Sequence, residues 1–352
     1  MSFRLELTNR GKNSRSNSVR TAITVVLECA FPTRGDRLAR KLSSFNKRIS
    51  SKPKDDRKLK GSTSLPLFRL HDHFSSLITK HKGVANLPEL ALRTAVDFFF
   101  RISLAGRTNT AYCILDDSFA FPPGASTWSE VPYGGKVSFR LAGTKSAHLD
   151  HVNCERDNLR LRPATDRQQG KSTLTSLLSI TRTHHPRHEN LDYFLMIDDL
   201  RRRVRSAPRA LESVQIDKLD GAGPSVAQLP RLFVSISTST RYRGQAITES
   251  TLNSALTRFL GVASAFSSSQ QLQCSHIRHT VVSWVLKYCD IHSIPDSTSA
   301  NHTTVRGDLF LRSMHSIAVA ESTYSVHLLP DHQSMLGTLP SGLTLDALIL
   351  NA

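Results

Sequence analysis

With 352 residues the chain can bury a sizeable core, and its length suits two domains, or one domain with a basic arm. Lys and Arg number 46 against 29 Asp and Glu, a net charge of +17, and such a surplus favours a polyanionic partner, nucleic acid ahead of an acidic membrane. Five cysteines (Cys29, Cys113, Cys154, Cys274, Cys289), odd in number and without C-x-x-C spacing, exclude a disulfide framework and a zinc ribbon. No apolar run approaches the ~20 residues of a membrane span, and the polar, basic start lacks a signal-peptide core, so the chain reads as soluble, reduced and intracellular.

Residues 1 to 17, with Arg10, Lys12 and Arg15 among Asn and Ser, read as a flexible basic arm. Val19, Ile23, Val26, Leu27 and Ala30 recur at helical spacing up to Pro32, and Leu38, Leu42, Phe45 and Ile49 repeat the pattern. That second helix carries Arg37, Arg40, Lys41 and Lys47, which suit either a solvated face or contacts to a DNA backbone. Residues 50 to 64, with Pro53 and mixed charges, have nothing to bury and read as a linker, with a domain boundary near residue 60.

Beyond it, 66–80 and 87–104 carry two amphipathic to largely buried helical patterns, and Gly106 breaks the second just before Arg107. Val137 to Leu141 and Leu149 to Cys154 alternate apolar and polar residues around a turn, which predicts a β-hairpin with Lys145 at or just past its tip and Lys136 at its start. Residues 163 to 190 read as a polar loop around one helical piece (Leu174, Leu177, Leu178). Gly170-Lys171-Ser172 lacks the earlier glycine and preceding strand of a phosphate-binding loop, and His184, His185 and His188 suit a solvated loop better than a metal site. Leu191 to Val204 is a strong helix pattern whose Asp198, Asp199 and Arg201 to Arg203 fit a charged outer face. Leu232 to Ile236 resembles a short strand, and a helix opens at Ile247-Thr248.

The densest chemistry lies between Cys274 and Tyr324. Ser275-His276-Ile277-Arg278-His279-Thr280 heads an apolar segment, and Met314-His315-Ser316-Ile317-Ala318 leads to Tyr324, nine residues after His315. An arginine between histidines, followed by a histidine and a tyrosine at fixed distance, has no packing rationale. It suits a phosphate clamp with a nucleophile. Cys274, His276 and His279 could alternatively ligate zinc, but no partner pair accompanies them.

In this order the residues resemble the catalytic domain of the tyrosine recombinases (phage-integrase family), over roughly residues 60 to 335. Ala105-Gly106-Arg107-Thr108-Asn109 is similar to the first arginine box as found in eukaryotic mobile elements of the Crypton and DIRS-like types. Ser275 to Thr280 resembles the second box and Met314 to Tyr324 the last.

The resemblance implies a mainly α fold with a small antiparallel β-sheet (α+β). In it a recombinase-like domain (61–335) follows a short helical DNA-clamping module (18–60) and precedes a C-terminal docking segment (336–352). It implies Arg107 and Arg278 holding the non-bridging oxygens of a scissile phosphate. Tyr324 would be the covalent nucleophile, leaving a 3′-phosphotyrosyl link. Lys145, with Lys136 as runner-up, would be the acid for the leaving 5′-oxygen. His315 would donate a hydrogen bond to the phosphate, and His276 would help accept the tyrosine proton. No metal or nucleotide cofactor is required.

The implied partner is double-stranded DNA, bound by a homotetramer, in the nucleus if the source is eukaryotic, in recombination or integration of a transposable element. Ser275 stands where the family usually has histidine, and on a helix His276 is rotated from that position by about 100°. A second departure is length, with 36 residues between Arg278 and His315 and the polar 295–307 segment resembling an insertion. Two alternatives share the fold or the chemistry: a domesticated descendant that binds DNA without cutting it, and a type IB topoisomerase-like enzyme. The apolar tail from Leu343 to Leu350 requires a docking site, on its own core or on a neighbouring protomer.

Overall fold

The computed structural model describes residues 64–105, 114–139, 141, 149–150, 160–161, 172–173, 178–205, 211–216, 225–234, 247, 249–263, 275–294, 304–313 and 328–352. The chain divides into two units, 1–61 and 62–352, and all described residues belong to the second. The helices read before Pro32 and over 38–49, with their basic residues, lie outside the described residues.

The architecture is mainly helical with small sheets, an α+β arrangement. Helix α1 (Leu67–Lys80) follows Pro66, buries Leu67, Leu70, Phe74 and Ile78 along one stripe, and carries Lys80 in its last turn, where a cation complements the helix dipole. Helix α2 (Glu89–Ser103) starts after Pro88 with an acid in its first turn. It is buried almost all round, from Ala91 to Ser103, because it lies at the centre of the unit. Helices α3 (Tyr193–Arg205), α4 (Glu249–Ala263) and α5 (Ser275–Ile291) all pack on it. Phe99 stacks on Tyr193 at 4.7 Å, while Phe100 meets Trp128 and Phe139 edge-on, tying α2 to the sheet side of the core.

Strand β1 (Lys136–Phe139) pairs antiparallel with β5 (Leu178–Thr181), in the register Lys136↔Thr181 to Phe139↔Leu178. Val137, Phe139, Leu178 and Ile180 point into the core. This corrects the hairpin expected from sequence. Leu149–Asp150 (β2) pairs with Arg160–Leu161 (β3), not with β1. At Leu178 it also corrects the helical reading, whose other residues, Leu174 and Leu177, lie outside the described residues: Leu178-Ser179-Ile180-Thr181 has a period of two, and its buried face packs with that of β1. Gly134, at φ 83, makes the turn into β1, and its N–H bonds Arg182 O at 2.8 Å to extend the pairing. A mixed three-stranded sheet joins β4 (Ser172–Thr173), β6 (Leu211–Ile216) and β7 (Ser225–Pro230). Within the strand-like 232–236 run, the described residues 232–234 are buried but form no strand, with bends at Leu232 and Phe233 and an isolated bridge at Val234.

Helix α5 is amphipathic in neither direction. Ile277, Val281, Val282, Trp284, Val285, Tyr288 and Cys289 are all buried, because α2, α6 (Val305–Ser313), α7 (Pro330–Thr338) and α8 (Leu345–Ile349) surround it. Helix α6 occupies the end of the segment that resembled an insertion. The C-terminal segment docks on the chain's own core. Leu345, Leu348 and Ile349 are buried, and Leu348 O accepts from Trp284 Nε1 at 3.0 Å. Thr344 caps α8 by accepting from Ala347 N.

In two charged stretches read as solvated, Arg202 and His184 are exposed as expected, but Asp199, Arg201 and His185 turn inward and are buried. Arg201 is paired with Asp116 across the core, and Asp199 with Arg202 and Arg203. His185 packs on His71 with ring centroids 4.6 Å apart, while His188 Nε2 meets Asp72 at 2.7 Å. Charge type alone suggested exposure, but a charged side chain goes inside when a partner is folded against it. Among the described residues no helix is long and apolar enough to cross a membrane.

Candidate active site

Of the catalytic residues named from sequence, His276 and Arg278 lie among the described residues. Arg107, Lys145, His315 and Tyr324 lie outside them, as do the DNA-contact candidates Arg37, Arg40, Lys41 and Lys47.

Arg278 stands in the first turn of α5, 4 % exposed, and its Nη2 donates to Ser313 O at 3.0 Å. Ser313 ends α6, so the guanidinium satisfies a carbonyl that the helix leaves without an internal partner. The contact fixes α5 and α6 as an antiparallel pair, closed at the far end by Arg306 and Asp290 at 2.9 Å. Ser313 is also the last described residue before Met314-His315.

A third segment joins this junction. Arg312, 3 % exposed, donates from Nη1 to Ser103 O at 3.3 Å, in the last turn of α2. Leu104 and Ala105 follow, leading in sequence to Gly106-Arg107. Ala105 adopts φ 41 and is fully buried, a left-handed residue that terminates α2 and turns the chain out of it. Three helix ends therefore lie together: the start of α5 at Arg278, the end of α6 at Ser313, and the end of α2 at Ser103.

His276 is half-buried, and burial lowers its pKa from 6.5, which keeps it neutral and able to accept a proton near neutral pH. It is two residues from Arg278, however, and side chains at that spacing on a helix leave on different faces. The structure does not bring this pair onto one face. Lys136 is exposed at the start of β1, opposite Thr181. Among the described residues, no three His, Cys, Asp or Glu side chains group as a metal site would require.

Sequence reasoning missed Arg312 and Asp346. Arg312 is held by Asp308 at 2.8 Å and by both oxygens of Asp346, and these carboxylates hold its charge against the cost of burial. The four-residue spacing of Asp308 and Arg312 was a readable signal. Asp346, 34 residues further on, was not.

The fold and junction define a mainly helical α+β protein in which a buried guanidinium sits where three helix ends meet. Comparison with known proteins gives no matching family model, no matching curated protein and no matching solved structure.

Proposed function

We propose that the protein is a DNA strand-exchange enzyme of the tyrosine-recombinase type, cleaving and rejoining duplex DNA through a phosphotyrosyl link at Tyr324. The observation that carries this reading is the junction itself. Arg278 donates to Ser313, whose chain runs on to His315, and Arg312 donates to Ser103, whose chain runs on to Arg107. The segments whose residues the chemistry requires in one pocket thus depart from one place.

In this reading the guanidiniums of Arg278 and Arg107 take the charge that builds on the non-bridging oxygens as the Tyr324 oxygen adds to phosphorus. A planar, permanently charged fork suits that geometry better than an ammonium. The P–O5′ bond breaks as the P–Oη bond forms, the Tyr324 hydroxyl proton passes to His276, and the leaving oxygen takes a proton from Lys145 or Lys136. Attack by the freed 5′-hydroxyl of a second duplex reverses the step. The net charge of +17 supports a DNA partner, engaged by a tetramer.

A nicked duplex that loses its short 5′-product traps the intermediate. The wild-type chain should give a covalent adduct that survives denaturing electrophoresis, and Tyr324→Phe should give none. The second reading, a descendant that binds DNA without cutting it, draws support from Ser275 and from His276 lying off the Arg278 face. DNA binding with no adduct on any tested sequence would favour it.

A further inference from the structure

We infer that Asp346, in the C-terminal helix α8, is a positioning residue that sets the geometry of the candidate site from behind, an inference that rests on the function proposed above. Asp346 is 6 % exposed, and its two oxygens do three things. Oδ1 and Oδ2 accept from Arg312 Nη1 and Nη2, the second at 2.9 Å. Oδ2 also accepts from Thr181 N at 2.9 Å.

Each bond leads to a different part of the site. Thr181 stands opposite Lys136 in the β1–β5 register, so the carboxylate anchors the edge from which that lysine projects. Arg312 belongs to the last turn of α6, one residue before the Ser313 carbonyl that receives Arg278. The same Arg312 reaches Ser103 O, at the end of α2. One buried carboxylate thereby ties together the sheet edge, the end of α6 and the end of α2, while α8 itself packs on α5, α6 and α2.

The arrangement is poorly replaceable. Arg312 is buried between two carboxylates, and Asp308 is the more exposed of them. Neutralising Asp346 leaves an acceptor for Thr181 and the same volume, yet removes the inner charge that holds Arg312 against α2. A catalytic pocket tolerates little movement: a misplacement of about 1 Å costs on the order of 10²-fold in rate.

The test compares the full-length wild-type chain with Asp346→Asn and Asp346→Glu by two readings. The first is hydrogen exchange. Asp346→Asn should speed exchange together at 101–105, 178–181 and 309–313, with α1 unchanged, and faster exchange confined to α8 would overturn the inference. The second is single-turnover adduct formation on nicked duplex DNA, alongside DNA affinity. Asp346→Asn should slow the adduct step on the order of 10²-fold at unchanged affinity, and Asp346→Glu should recover most of the rate. An unchanged rate in Asp346→Asn would overturn it. If Asp346→Asn does not fold, Asp308→Asn, which loosens Arg312 but leaves the Thr181 bond intact, should speed exchange at 101–105 and 309–313 alone and slow the adduct step by a smaller factor, and no change in either would overturn the inference. If the wild-type chain forms no adduct, the strand-exchange reading is what fails, and the exchange pattern still decides whether Asp346 couples the three segments.

Discussion

Ala105 shows how much one residue's backbone decides here. At φ 41, with its methyl fully buried, it ends α2 in a conformation that L-residues adopt at a cost and that a branched side chain resists. Ala105→Val should therefore destabilise by about 2 to 4 kcal/mol, from the strained φ and the added volume together, measured by urea unfolding. A loss below about 0.5 kcal/mol would show that the turn out of α2 is freely remodelled. Arg201 makes the same point for charge. Its ion pair with Asp116 joins residues far apart in sequence, and Arg201→Leu should cost about 3 kcal/mol by leaving a carboxylate in the core, although Arg205 lies 3.5 Å from it. At this scale the sequence was misleading. It shows a run of arginines, but only a folded partner decides which of them turn inward. Arg278 was more legible, because its place at the head of an apolar helical run could be read locally, whereas the Asp346 contact to Arg312 could not.

Among the elements, helices were legible and strand partners were not. The apolar repeats at 67–80, 193–205 and 249–263 each bury a face, which local spacing reports directly, and the denser apolar run at 89–103 marks a helix buried almost all round. Pairing is a long-range choice. β1 could be recognised as a strand, but its partner lies about 40 residues on, past the nearer alternating stretch that was assigned to it. The C-terminal helix is where the elements interlock, since Trp284, Tyr288 and Arg312 all bond the 340–348 segment. Leu348→Ala should cost about 2 to 5 kcal/mol in chemical denaturation, and the loss should be cooperative with α5 rather than a local fraying of the tail. A two-step transition, with the tail released first, would contradict this packing.

For the whole unit, the buried histidines set a pH dependence. Burial holds the pKa of His71 well below 6.5, that of His185 at about 3 and that of His332 at about 4. His188 and Arg187 add repulsion at His185, while Asp331 partly offsets burial at His332. These rings are neutral in the fold but take up protons in the unfolded chain near pH 6.5. Their contribution is therefore complete above that pH and is lost as pH falls toward 4 and 3, so the thermal midpoint should drop steadily below pH 6.5. His185 joins the 182–191 loop to α1 through His71, and His332 bonds Ser64 at 2.9 Å, so the loss should begin around α1. A midpoint flat from pH 7 to 4 would show that these rings are not buried neutral in solution.

The central claim is that Arg278 exists to hold charge on a scissile phosphate, and one substrate tests it directly. A nicked duplex carrying a methylphosphonate at the cleavage position has lost the negative charge that a guanidinium would neutralise. Arg278→Ala should fail to form the Tyr324 adduct on the ordinary phosphate and regain it on the methylphosphonate. If Arg278→Ala cleaves the ordinary phosphate at the wild-type rate, or is folded and inert on both substrates while the wild-type chain cleaves, Arg278 is a helix-capping arginine and the account fails.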